Sequence, residues 1–244
     1  MEESSAPTRV GEPTVPGTIA RVIHRMQDIR DRLDPHDGVA YFNRVYLRLS
    51  ELVVQSLAEG FFKDSAFVER LAVIFAGLYF QNVDAAGVAQ KPDRSWRPLF
   101  DARFNRVVWP IQFALAGMNA HINHDLALAV TATCQEFGKG PDTPPLHEDY
   151  QRVNELVAKV ESEVRQSFET KLFHLATKDA EALKHIVGSW SIIAARDLAW
   201  DNTELLWALR TTPLLYDKSV DALARTVGAM GRMLVTAVVP PPPG

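Results

Sequence analysis

The sequence predicts an all-α protein, a single-domain bundle of about seven helices around a buried central helix. Three observations predict it. Apolar residues recur at three- and four-residue spacing along nearly the whole chain, and no convincing alternating run marks a strand. Interruptions of that spacing fall at Pro, Gly and short polar residues that start or stop helices. The stretch Val107–Gln135 holds one formally charged residue, Asp125, and a helix without a charged face belongs inside a bundle. The chain has 244 residues, 47% of them hydrophobic, which suffices for one large core. No repeat at solenoid periods is visible.

The expected organisation is an unstructured arm over 1–16, a helical domain over 17–239 and a proline-rich tail over 240–244. A first helix is predicted from Thr18 to Leu33, stopped by Asp34-Pro35. A second starts near Asp37, and its stripe Val39, Phe42, Tyr46, Leu49 and Val53 has core-facing spacing. A third starts at Asp64 or Ser65 and runs to about Ala89. Lys91–Pro98 contains two prolines and reads as a loop, after which a short segment, Leu99–Asn105, leads to the fourth helix. That central helix runs from Trp109 or Pro110 to Phe137, with Pro110 in the first turn, where a missing N–H is tolerated. Gly138–His147 is a connection inside the domain, since helical patterning resumes directly on both sides. A polar-faced helix follows over Glu148–Leu175. Asp179 caps a helical region that reaches Arg210 with a break at Gly188-Ser189, and Ser219 opens a last helix ended by Pro240–Pro243.

Several function classes are excluded. A net charge of −4 with no basic run argues against nucleic acid as a partner. The single cysteine, Cys134, leaves no intrachain disulfide and no cysteine metal cluster, and fits a reducing compartment. The N-terminal MEESSAPTRVGEPTVPG lacks the apolar segment of a secretory signal. No membrane span is expected: Leu71–Phe80 is too short, and Val107–Val130 is interrupted by polar residues. A cytoplasmic location follows by elimination. There is no dinucleotide or phosphate-loop glycine motif, no Gly-x-Ser-x-Gly elbow and no His-Glu-x-x-His.

The central helix carries the chemistry. Within it stands Asn119-Ala-His121-Ile-Asn123-His124-Asp125. His121 and Asp125 are four apart and share a face; Asn119 and Asn123 form a second such pair on roughly the opposite face, and His124 flanks the first. Each of these polar atoms left unsatisfied in a core would cost about 1–3 kcal/mol. Three readings compete. One is a structural hydrogen-bond network that ties neighbouring helices to the central one. A second is an acid/base site in which Asp125 orients His121 and fixes its tautomer. A third is a metal ion at His121 and Asp125, which would need further ligands from other helices. His147 and His185 show no paired spacing to supply them, and no other cofactor is expected.

A second pattern lies further on. Trp190, Ile193, Asp197, Trp200, Glu204 and Trp207 recur at three and four residues and share a face. It reads either as an amphipathic rim where indole N–H groups meet acids, or as the aromatic wall of a ligand cavity. Arg196, in an Ala/Ile-rich surround, and Arg70, sharing a face with Ala66, Val73, Gly77 and Phe80, are each candidate buried counter-ions for Asp125. Asn43, facing Leu47, Val54 and Leu57, is a candidate member of the same network.

The segments AYFNRVYLRLSE (Ala40–Glu51), FVERLAVIFAGLYF (Phe67–Phe80), FALAGMNAHINHDLALAV (Phe113–Val130), RVNELVAKVE (Arg152–Glu161) and ARDLAWDNTELLWALR (Ala195–Arg210) together resemble an uncharacterised bacterial domain-of-unknown-function family. The resemblance covers nearly all of the chain apart from its tails, and its most specific element is AGMNAHINHDLALA. It implies an all-helical fold and carries no activity.

The leading functional expectation is a small-molecule enzyme for a largely apolar organic substrate. His121 and Asp125 would move protons, Arg196 would orient or stabilise charge, and Asn43, Arg70, Asn119, His124, Trp190, Asp197, Trp200 and Trp207 would line the site. Cyclisation, isomerisation, elimination and hydrolysis all fit. The alternatives are a non-catalytic binding protein for a hydrophobic ligand and a metal-dependent enzyme using the His-x-x-x-Asp pair.

Overall fold

A computed structural model of the chain describes residues 18–172 and 191–236, with side chains described up to 163 in the first stretch. The expected arm and tail, the helix start at Asp179, the break at Gly188 and Trp190 lie outside the described residues. Every regular element among the described residues is helical. They are α1 (Ile19–Arg32), α2 (Gly38–Ala58), α3 (Ser65–Gly87), the short α4 (Arg97–Ala102), α5 (Pro110–Ala120), α6 (Leu126–Phe137), α7 (Leu146–Leu172), α8 (Ile192–Leu209) and α9 (Pro213–Leu234). A π-helical turn, His121–Asp125, joins α5 to α6 into one rod, so the described residues form eight rods.

The starts follow from side chains that take up the free N–H groups of a first turn. Thr18 accepts from the Arg21 N–H, Asp37 from Val39, Asp64 from Phe67 and Ser191 from Ala194. Pro110 and Pro213 open α5 and α9. The last helix therefore starts at Pro213, six residues before the expected Ser219. Only Arg210–Thr212 separate it from α8, and the proline that suggests a breaker stands in the one turn that needs no N–H from it. Gly138 closes α6 in the left-handed conformation, at φ 62°, where a side chain would be strained.

The α5–α6 rod is the axis of the bundle. Every residue from Ile111 to Ala127 is buried except Ile122, which is partly buried. Its first half packs on α2 and α9, its second on α3 and α8, and the π turn touches α3, α8 and α9. The approach to α2 depends on Gly117, where a Cβ would sit 2.4 Å from the Phe42 ring. Among the described residues α3 alone has the length and composition to cross a membrane. One face of it is turned to the protein, with Phe67, Val68, Val73, Ala76, Tyr79 and Phe80 buried.

Candidate functional site

The cluster in the central rod is sealed off from solvent: His121, Asn123, His124 and Asp125 are all buried, and Asn119 and Asn43 are fully so. Sequence spacing places His121 above Asp125, and the backbone adds the π turn around both. The Leu126 N–H reaches back five residues to the His121 carbonyl, the widened turn that recurs at functional sites. Neighbours i and i+1 do not face one another on a regular helix. Here His124 Nδ1 nevertheless lies 2.8 Å from Asp125 Oδ1, while His121 Nδ1 lies 3.0 Å from Oδ2. The π turn had no signal in the residue pattern.

Asp125 is thus an acceptor for both imidazoles, and the Trp96 indole donates a further hydrogen bond to Oδ2 at 2.9 Å. Trp96 is fully buried at the start of α4, in the stretch expected to be loop. Burial pushes the Asp125 carboxyl up, but the hydrogen bonds and charges of His121 and His124 outweigh it and hold the group below the usual carboxylate range. Burial likewise favours a neutral His124. The Asp125 hydrogen bond and charge, with Asp93 beyond, reverse this and hold its imidazole above the ordinary value. His121 goes the other way, because burial exceeds the pull of Asp125 and lowers it. These shifts favour the carboxylate form of Asp125, bias His124 toward the imidazolium and bias His121 toward the neutral form. With a carboxylate at Nδ1, the His121 proton sits there and Nε2 keeps its lone pair.

His121 Nε2 is buried and has no hydrogen-bond partner. The ring is held in an aromatic cage. It stacks on Phe75 at 3.5 Å between centroids and 6° between planes, and Tyr46 meets it edge-on at 4.4 Å. His121 also lines a cavity of about 50 Å³ walled mainly by apolar groups, Phe42, Tyr46, Phe75 and Leu126 among them, with Arg196 as a charged member. A second cavity of about 80 Å³, between α1, α2, α3, α6, α7 and α8, shares Tyr46, Leu49, Phe75, Leu126 and Arg196 with the first. Burial and the Asp125 charge push the Tyr46 phenol far above its ordinary value, so it stays protonated where it borders both spaces.

On the other side of the cluster, His124 Nε2 lies 3.9 Å from the Asp93 carboxylate. Asp93 is held by Ser95, through its N–H at 2.8 Å and its hydroxyl at 2.6 Å, and it borders an open polar surface depression with Arg94, Arg97, Asp217 and Asp221. Asp93, His124, Asp125 and His121 therefore form a row from a polar surface to an apolar interior. Tyr46, Phe75, Trp96 and Asp93 were missed as site residues. The first two sit on ordinary core stripes. Trp96 carried a signal of a kind, since a buried indole N–H requires an acceptor.

Other expected members fall elsewhere. Arg70 is not the counter-ion of Asp125; it forms a fork with Glu136 on the outside, at 2.5 and 2.6 Å. His124 takes that role, an intrahelical neighbour that the π turn brings within reach. Arg196 is buried but donates to Asn154 and to the Tyr150 carbonyl, not to Asp125. Asn119 accepts from Asn123 and donates to the Val227 carbonyl, tying the rod to α9. Asn43 ties α2 to α1 through the Met26 carbonyl and accepts from Tyr79. Of the described tryptophans on the α8 stripe, Trp200 lines the larger cavity. Its indole N–H donates to Glu204 at 3.1 Å and its ring stacks on His147. Asp197 is exposed, and Trp207 is only partly buried, under the Arg210 guanidinium. Among the described residues no group of three or more His, Cys, Asp and Glu side chains converges as metal ligands. Both Asp125 oxygens already face N–H donors, a setting for an anion rather than for a cation's ligand.

The chain has no match among curated proteins or solved structures. A family model does match, over residues 19–237, that is, over all the helices and the whole cluster. The protein accordingly belongs to DUF5995, a family of unknown function.

Proposed function

We propose that the protein is an enzyme that moves a proton on a largely apolar small molecule, with neutral His121 as its base. One observation carries the reading: His121 Nε2 is a buried nitrogen with no partner, on a ring that lines an apolar cavity. A structural histidine satisfies both nitrogens, because an orphaned polar atom in a core costs about 1–3 kcal/mol. A base needs one nitrogen free and the other fixed, and Asp125 fixes it. Nε2 takes a proton from the bound molecule; the imidazolium so formed faces the Asp125 carboxylate through Nδ1–H. The same proton returns to another atom of the molecule in an isomerisation or cyclisation, or to a leaving group in an elimination. Tyr46 offers a hydroxyl at the cavity wall. His124 extends the cluster toward Asp93, 3.9 Å from its Nε2, on the side of the polar surface. A cytoplasmic location belongs to the same proposal and rests on the single cysteine of the sequence, which leaves no intrachain disulfide.

The test is a substrate screen read against His121→Ala and Asp125→Asn. The expected result is cooperative unfolding for both variants and loss of turnover in both. Turnover that survives His121→Ala, or outright unfolding of both variants, would leave the cluster a structural network. A non-catalytic binding role is the second reading, favoured by the predominantly apolar walls of both cavities. In that case Trp200→Ala weakens ligand binding while His121→Ala does not.

A further inference from the structure

We infer that the ligand is an apolar monocarboxylate whose acid group is received by Arg196; the inference rests on the proposed function above, in that the acid is placed beside His121. Arg196 is 5% exposed and lines both cavities. Its Nε donates to Asn154 Oδ1 at 2.6 Å, its Nη2 to the Tyr150 carbonyl at 2.5 Å, and its guanidinium lies over the Tyr150 ring at 4.2 Å. All of these partners are neutral. Among the described residues no carboxylate lies within ion-pair distance of it, although Asp149 lines the larger cavity as well. Asp149 is committed to the backbone N–H groups of Lys63 and Asp64, at 2.9 and 2.6 Å. Asp197, next along the helix, is exposed and engaged by Gln151.

A guanidinium stays charged under such burial, and a buried charge calls for an opposite one. Most of the wall is apolar, with Leu49, Val53, Leu71, Ala72 and Val130 around the larger space beside Ser50 and the already committed Asp149. The chemistry that fits is one anionic group on a hydrocarbon body. With Nε and Nη2 already donating, the N–H groups left on this one guanidinium suffice for a single carboxylate, whereas a phosphate dianion would need further donors. Cavities of about 80 and 50 Å³ set a short body. Because Arg196 and His121 border the same smaller space, the carbons next to the acid fall at the base.

The experiment titrates the full chain with hexanoate and with hexan-1-ol by calorimetry, while nitrogen NMR follows the His121 ring. Hexanoate is expected to bind one to one, about tenfold or more tighter than the alcohol, the margin of a charge-assisted hydrogen bond. Arg196→Lys should erase most of that margin and leave the alcohol unaffected. Equal affinities for acid and alcohol, a margin unchanged in Arg196→Lys, or no binding of either overturns the carboxylate assignment. Should the alcohol alone move the His121 signals, the acid/base reading survives without it. Should neither compound move them, both fail. The comparison of the two compounds on the unmodified protein decides the matter even if the variant does not fold.

Discussion

Replacing Asp125 by asparagine keeps the shape of the side chain and removes its charge and one of its two acceptor oxygens. Three N–H donors converge on that carboxylate, from His121, His124 and Trp96. The amide oxygen can keep the pair of bonds now made to Oδ2. The amide NH₂ then points at the His124 Nδ1, which must give up its own proton to accept. Breaking a buried ion pair by removing one partner costs about 3–5 kcal/mol. Deprotonation of His124 recovers part of this, so the lower end, about 3 kcal/mol, is expected. For a chain of this length that corresponds to a fall in melting temperature of about 6–12 °C. A domain stable by about 5–15 kcal/mol remains folded. Urea unfolding followed by tryptophan fluorescence measures the first quantity, with an unchanged denaturant slope as control. Histidine NMR measures the second effect: the His124 titration, held up by Asp125 in the parent, should move down in the variant. A variant within about 0.5 kcal/mol of the parent, the range of an inconsequential surface change, would refute the reasoning.

Opposite pH signs are expected from the two imidazoles. The lowered His121 adds stability that is lost as pH falls below its ordinary value of about 6.5, whereas the raised His124 adds stability that is lost as pH rises through its folded value. Ring nitrogen NMR should therefore show His121 titrating below an ordinary imidazole, with its proton at Nδ1, and His124 titrating above one; the reverse order would contradict the cluster. Gly117→Ala should destabilise by about 1–3 kcal/mol, because its methyl meets the fully buried Phe42 ring and α2 must retreat from the rod. Calorimetry on that variant checks the close approach, and an unchanged melting temperature would disprove it.

The sequence by itself determined the helical fold, the burial of the central rod and the pairing of His121 with Asp125. These rest on periodicity, caps and charge content, which are local properties of the chain. Helix starts at Asp37 and Asp64 were legible because a cap bonds its own first turn, whereas the last helix was expected from Ser219 and starts at Pro213, a residue type that marks starts and stops alike. Only the tertiary structure decided what surrounds the pair. Trp96 arrives at Asp125 from a different element, Phe75 and Tyr46 enclose His121 from α3 and α2, and Asp93 meets His124 from the α3–α4 connection. Arg70 and Arg196 looked alike as arginines among apolar neighbours on a helix. One turned out to the surface to meet Glu136, and the other turned in to border two cavities, with no carboxylate among the described residues within ion-pair distance. A residue's own helix fixes the face it stands on; the opposing helices fix whether a charge on that face finds water, a partner or neither.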